Sequence, residues 1–311
     1  MIFNFIIKLC SRIELYFYLP VDKYGGMLYN KSDDYEGREH MVLVTNYLYQ
    51  LLFTVGVIAV FGLLISLIRR AFCALLGGAG NILLLITGVV GTPVHEFSHA
   101  VACLLFGHKI NEVKLYSPSR DGSLGYVDHS YNKKNLYHQI GNFFISVAPI
   151  IGGSIFLIHL MMLTVPDIYA SLKLEIGALR GLTDGGIELS ELPGIGPGVW
   201  NIFLTVFDFS RVGDAFWWIF IVLAIMVSSH MELSGSDVKG ALKGFLFLAG
   251  LLFAVDLVLF LFFAELLGRV TALTMSIGVV LSSLFLPALI FCLLLLLLAL
   301  IVRGVLAIFG R

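Results

Sequence analysis

The chain has 311 residues, of which 59% are hydrophobic and only 13% charged; its net charge is −1 and its mean hydropathy +0.94. Soluble domains carry about 25% charged residues, so a soluble globular protein is excluded and an all-α polytopic membrane protein embedded in a lipid bilayer is expected. The balanced charge gives no footprint for nucleic acid, and no nucleic-acid partner is expected.

Residues 1–45 read as an N-terminal cytoplasmic or interfacial segment, and 46–311 as the membrane domain. Met1 to Pro20 mixes Phe, Ile, Leu and Tyr with Lys8, Arg12 and Glu14, which suits an interfacial amphipathic helix rather than a secretory signal. Val21 to Met41 reads as a polar connector. The first span is expected at Tyr47–Ile68, closed by Arg69-Arg70. From Ala71 to Phe106 the only charged side chain is Glu96. A single helix of that length would be about 54 Å long, against a hydrocarbon core of about 30 Å. Breaks are therefore expected at Gly77, Gly78 and Gly80, and again at Gly91-Thr92-Pro93, with Thr92 capping a restarted helix.

That restarted helix carries His95-Glu96-Phe97-Ser98-His99. Residues four apart share a helix face, so His95 and His99 can address one metal ion. Glu96 lies one step round, where a carboxylate can act as general base on metal-bound water. Zinc is the metal that takes two imidazoles and keeps a position open for water. Ionisable side chains at membrane depth are costly and mark function.

Gly107 to Gln139 is a polar loop, and Asp121-Gly122 between strand-like residues 113–127 signals a β-hairpin after the motif helix. The third span is expected at Ile140–Met162. Residues 164–214 form an extracytoplasmic loop holding seven acids and the Leu192–Gly198 run of prolines and glycines. A short fourth span at Ala215–Val227, a polar break at Ser228–Gly240, a fifth span at Ala241–Phe263 containing Asp256, and a sixth at Ala272–Val302 bent at Pro287 complete the chain. The count is thus about six transmembrane helices. With the N-terminus inside, 14 of the 20 Lys and Arg residues fall on the cytoplasmic side. Both termini are therefore expected in the cytoplasm and the protein in the cell membrane. The four cysteines form no Cys-x-x-Cys pair and read as packing residues, Cys103 included.

On this orientation the break Ser228–Gly240 falls on the same side as the motif and offers two candidates for a third metal ligand, Asp237 and His230. Asp237 directly precedes the fifth span; His230 ends the fourth and can instead orient a ligand. Two imidazoles with a carboxylate, or three imidazoles, both make hydrolytic zinc sites.

Together these residues resemble the site-2 protease family of intramembrane zinc metalloproteases. The matching residues are His95, Glu96 and His99 on a membrane helix, and Asp237 by position at the start of a later span. Gly125-Tyr126-Val127 is similar to that family's membrane-associated hairpin, and Gly141-Asn142 through Pro149 to part of its next core helix. The likeness covers about residues 82–250. The family's Asn-x-x-Pro and Leu-Asp-Gly signature is absent, and His-Met-Glu-Leu-Ser-Gly-Ser-Asp stands in its place. The resemblance implies hydrolysis of peptide bonds in membrane protein or peptide substrates, with Asp237 as the metal ligand. A substrate strand would pair with the hairpin edge near Gly125. The alternatives are a non-proteolytic metal-binding protein, such as a sensor or assembly factor, and a transporter, to which Asp256 and the broken helices are suited.

Overall fold

The structure, a computed structural model, describes residues 39–119, 122–181, 200–201 and 203–308. The helix expected at Met1–Pro20, the connector up to residue 38, Arg120-Asp121 and the Leu192–Gly198 run lie outside the described residues.

The described residues are mainly helical, with one small two-stranded hairpin. Helix α1 (Glu39–Leu51) continues through a π-turn (Leu52–Gly56) into α2 (Val57–Leu76). There follow α3 (Gly78–Leu105), β1 (Lys109–Lys114), β2 (Tyr126–Ser130), α4 (Leu136–Thr164), α5 (Pro166–Gly181), α6 (Ala215–Ser228), α7 (Gly235–Phe262) and α8 (Ala264–Ile308). Among the described residues, five stretches are long and apolar enough to cross a membrane: Val42–Leu76, α3, α4, α7 and α8. The fourth expected span, α6, has 14 residues. At 1.5 Å per residue it reaches about 21 Å, short of a bilayer core.

Several boundaries differ from expectation. The first span does not end at Arg69-Arg70, because Arg69 finds a partner, Glu232, inside the protein. The break at Gly77 forms, with φ of +56°, a left-handed value that suits glycine. The break at Gly91-Thr92-Pro93 does not. Helix α3 runs through Pro93, and Thr92 Oγ1 is buried without a partner rather than capping a helix. Proline costs an internal hydrogen bond there, but the small faces of Gly88 and Gly91 admit neighbouring elements that hold the helix together. The hairpin forms with Lys109 opposite Ser130 and Lys114 opposite Tyr126. Beyond the strands the pairing continues through Ser117 with Leu124 and Ser119 with Ser123, to a turn closed by the Gly122 N–H on the Ser119 carbonyl at 3.1 Å, with Gly122 at φ +88°, as the Asp-Gly signal led one to expect. Within the expected loop 164–214, Pro166 starts α5, and Ile168, Leu172, Val206 and Phe207 are buried in the main core.

Glycines set how the helices approach and in which direction they run. A Cβ on Gly244 of α7 would strike the backbone of Phe143, and one on Gly240 would strike the Ser146 hydroxyl. A Cβ on Gly153 would meet Met231 at 2.6 Å. Arg211, just before α6, pairs with Asp167, just after α4. Along α4, therefore, rising residue numbers meet falling ones from α7 through Met231 to Arg211. Helices α6 and α7 run in series beside α4, and the turn at Ser229–Ser234 lies partway along that path rather than at its end.

Helix α2 also runs antiparallel to α7, since Gln50 bonds Asp256 while Arg69 pairs with Glu232. Helix α8 follows α2: Thr271 reaches Gln50, Phe285 packs on Phe61, and Arg303 donates to the Leu75 carbonyl. Val42 and Ile308 consequently lie at opposite ends of the bundle.

Gly244→Ala is expected to destabilise the protein by about 1–3 kcal/mol by forcing α7 off α4. Gly250→Ala, where nothing lies within 4 Å of the added carbon, is expected not to. Thermal unfolding of the two variants in one detergent compares them.

Candidate metal centre

His95 and His99 sit about 9–15 Å before the C-terminal end of α3, at 1.5 Å per residue. Their orientation comes from the far side of each ring. His95 Nδ1 lies 2.6 Å from the carbonyl of His230, and His99 Nδ1 lies 2.8 Å from the carbonyl of Ile145. A carbonyl only accepts, so each Nδ1 carries the proton and donates it. Each Nε2 then presents a lone pair. These two Nε2 atoms are 3.1 Å apart. Bare lone pairs at that separation repel, so either a proton or a metal ion must sit between them.

Asp237 completes the group. Its Oδ1 is 3.4 Å from His99 Nε2 and its Oδ2 3.9 Å from His95 Nε2. It is the third residue of α7 and half of a capping box. Ser234 N–H and Ser234 Oγ–H both donate to Oδ2, at 2.8 and 2.6 Å, and the Asp237 N–H donates to Ser234 Oγ. The cap consumes Oδ2 and leaves Oδ1 facing His99. Asp237 is thus a helix cap and a member of the cluster at once, with only 9% of its surface exposed. The nitrogen and oxygen atoms of His95, His99 and Asp237 all lie within 4.8 Å of one another. Zinc bonds of about 2.0–2.1 Å in a tetrahedron put donor atoms roughly 3.3 Å apart. The donor types and their spacing fit that ion.

Three other elements close the site. Gly91 lets the Met226 carbonyl and the His230 ring lie against α3, since a Cβ there would strike both. Gly152 does the same for Ser98 against α4. The hairpin covers Glu96: a Cβ on Gly125 would stand 2.9 Å from Glu96 Cγ and 2.9 Å from Thr92 Cγ2. Tyr116 anchors the hairpin connection by donating to the Leu85 carbonyl at 2.9 Å. Glu96 is therefore buried, at 7% exposure, in a cavity of about 660 Å³ shared with the cluster, the 122–127 segment, His129 and Lys239.

His230 does not join the cluster with its ring. Its Nε2 is 3.0 Å from Thr87 Oγ1, and it serves the site through its main-chain carbonyl. Of the two candidate third ligands, the structure brings Asp237 to the histidines and turns the His230 imidazole away.

His129, on β2, also faces the cavity, and nothing in its sequence context marks it; only the pairing of β2 beside α3 brings it there. His108 Nε2 donates to the His138 carbonyl at 3.0 Å, so its Nδ1 is bare and accepts from His129 Nδ1 at 3.1 Å. Burial, with His99 nearby, holds the His129 imidazole below the ordinary histidine value, and burial does the same for His108. His129 is then neutral and turns a bare Nε2 away from His108.

No protein-family model, no curated protein and no solved structure matches the chain.

Metal content measured on purified variants checks the assignment. His99→Ala and Asp237→Ala are expected to lose bound zinc. His230→Ala keeps its carbonyl and is expected to weaken binding by less than about 10-fold, the lower bound for loss of a supporting hydrogen bond.

Proposed function

We propose that the protein is an intramembrane zinc metalloprotease that hydrolyses peptide bonds of membrane protein substrates, as its resemblance to the site-2 protease family implies. The observation that supports this most directly is the convergence of His95 Nε2, His99 Nε2 and Asp237 Oδ1 beside a buried Glu96 in one cavity. A purely structural metal site has no use for a carboxylate at that position.

His95, His99 and Asp237 would hold zinc, which when bound supplies Lewis acidity towards a carbonyl and towards water. The carbonyls of His230 and Ile145 keep both rings in the metal-binding tautomer. Glu96 accepts a proton from the attacking water as its oxygen bonds the scissile carbon. It returns that proton to the amide nitrogen as the C–N bond breaks, so the products are a carboxylate and an amine. The covering hairpin excludes lipid from Glu96 and keeps the cavity polar. A transmembrane helix resists cleavage because its carbonyls are internally bonded, so the substrate must be extended. Residues Tyr126, Val127 and His129 of β2 line the cavity, and the β2 edge not paired with β1 is suited to take a substrate strand.

For orientation, we propose a cell-membrane protein whose N-terminus and loop 107–139 face the cytoplasm and whose 164–214 segment faces outward, following the Lys and Arg distribution. With α8 running parallel to α2, this orientation would set the end of α8 on the outward side, in place of the cytoplasmic C-terminus expected from six crossings.

Glu96→Gln is expected to retain zinc and to lose at least about 100-fold in turnover, the lower range for removal of a general base. Assay of a model membrane substrate alongside metal analysis checks this, and parental cleavage by the variant refutes it. In a cysteine-free background, Lys134→Cys is expected to react with a membrane-impermeant maleimide only from the cytoplasmic side and Ser210→Cys only from the outside. The reverse pattern would invert the proposed topology.

A further inference from the structure

A second buried polar group lies far from the metal cluster, where α1, α7 and α8 meet. Asp256, Gln50 and Thr271 have no exposed surface, and Asn46 has 4%. Gln50 Nε2 spends its two hydrogens on Asp256 Oδ1, at 2.9 Å, and Thr271 Oγ1, at 3.1 Å. The Thr271 hydroxyl spends its own hydrogen on the Leu267 carbonyl at 3.0 Å. Asn46 donates to the Val42 carbonyl at 2.8 Å. Asp256 Oδ2, Gln50 Oε1 and Asn46 Oδ1 have no partner at all.

Apart from the second hydrogen of the Asn46 amide, the donors of the node are committed, and what remains is oxygen. Two of the bare atoms belong to the same carboxylate and the same amide that bond each other, so covalent geometry places both at the junction. Asn46 precedes Gln50 by one turn on the same helix face. Flipping the Gln50 amide gives no relief, since it would set oxygen against the carboxylate. In the last two turns of α7 and the first two of α8, the other charged side chains are Glu265 and Arg269. They are exposed and bonded to each other. Among the described residues no cation therefore answers Asp256, and a bare carboxylate at this depth is costly.

We propose that Asp256, Gln50 and Asn46 form a binding site for one monovalent cation, sodium. The three bare oxygens supply hard ligands, and the single carboxylate matches a single charge. A divalent ion would be left with uncompensated charge in hydrocarbon. A proton would satisfy Asp256 and at most one of the two amide oxygens. The neighbouring π-turn supports the assignment: the Phe53 carbonyl packs where a Cβ of Gly278 would be. Such single-turn bulges recur at functional sites. The cation would tie the first and seventh helices together at the end of the bundle away from the metal cluster. The site is independent of the hydrolase reading.

Equilibrium binding of radioactive sodium to the full-length protein in detergent, at pH 8 in choline chloride, tests this. Parental protein is expected to bind about one ion per chain saturably, and added sodium to raise the unfolding midpoint by about 2–4 °C. Asp256→Asn is expected to abolish both effects. Asn46→Ala, which spares the Asp256–Gln50 bond, is expected to weaken binding about 10-fold or more. His99→Ala is expected to bind sodium like the parent. Should Asp256→Asn fail to fold, Asn46→Ala decides. The assignment is overturned by no saturable binding in the parent, by parental affinity in Asn46→Ala, by loss of binding in His99→Ala, or by a midpoint that responds to acid but not to sodium.

Discussion

Two hydrogen bonds on the outer side of two imidazole rings organise this protein. By donating Nδ1–H to the carbonyls of His230 and Ile145, His95 and His99 each commit an Nε2 lone pair to the same point. A lone pair facing a lone pair at 3.1 Å is tolerable only with positive charge between them. Every other element near the site supports that arrangement. Helix α4 must bring the Ile145 carbonyl up to His99. The turn after α6 must bring the His230 carbonyl to His95. The first turn of α7 must bring Asp237 within reach of both.

Those demands explain where the glycines sit. Neighbouring elements approach a helix closely only where a side chain is missing, and Gly91, Gly152, Gly240 and Gly244 are among the positions at which an added Cβ would strike a neighbour. They also explain the short α6. A helix that continued unbroken past Ser228 would bury its carbonyls in its own hydrogen bonds. Ending there frees the His230 carbonyl and starts α7 with a capping box whose aspartate serves the cluster as well. The interruption partway along one path is thus a condition for the site.

The interior holds two polar centres that differ in kind. The cluster of His95, His99 and Asp237 borders a cavity shared with the hairpin, so substrate and water have room beside it. The Asp256 node is sealed and deficient in donors. The proposed hydrolytic chemistry needs the first arrangement, and the proposed cation site needs the second.

Much of this was legible in the amino-acid order. Hydropathy and segment length identify a membrane bundle because a bilayer admits only long apolar helices. The i, i+4 spacing of His95 and His99 around Glu96 marks a helix face suited to hold a metal ion, and the left-handed break at Gly77 follows from glycine's backbone freedom. Asp237 was a candidate for the same reason that it caps a helix, being an acid at a helix start. The rest depended on contacts between distant segments. Only tertiary packing turned the His230 ring to Thr87 and its carbonyl to His95, carried α3 through Pro93, and placed His129 on the cavity through strand pairing. It also laid α6 and α7 in series along one path beside α4. Local sequence encodes what a segment can be, through backbone and side-chain preferences within a few residues. Which lone pairs converge, and which oxygens remain bare, is decided by groups up to about 200 residues apart in the chain, as Gln50 and Asp256 are.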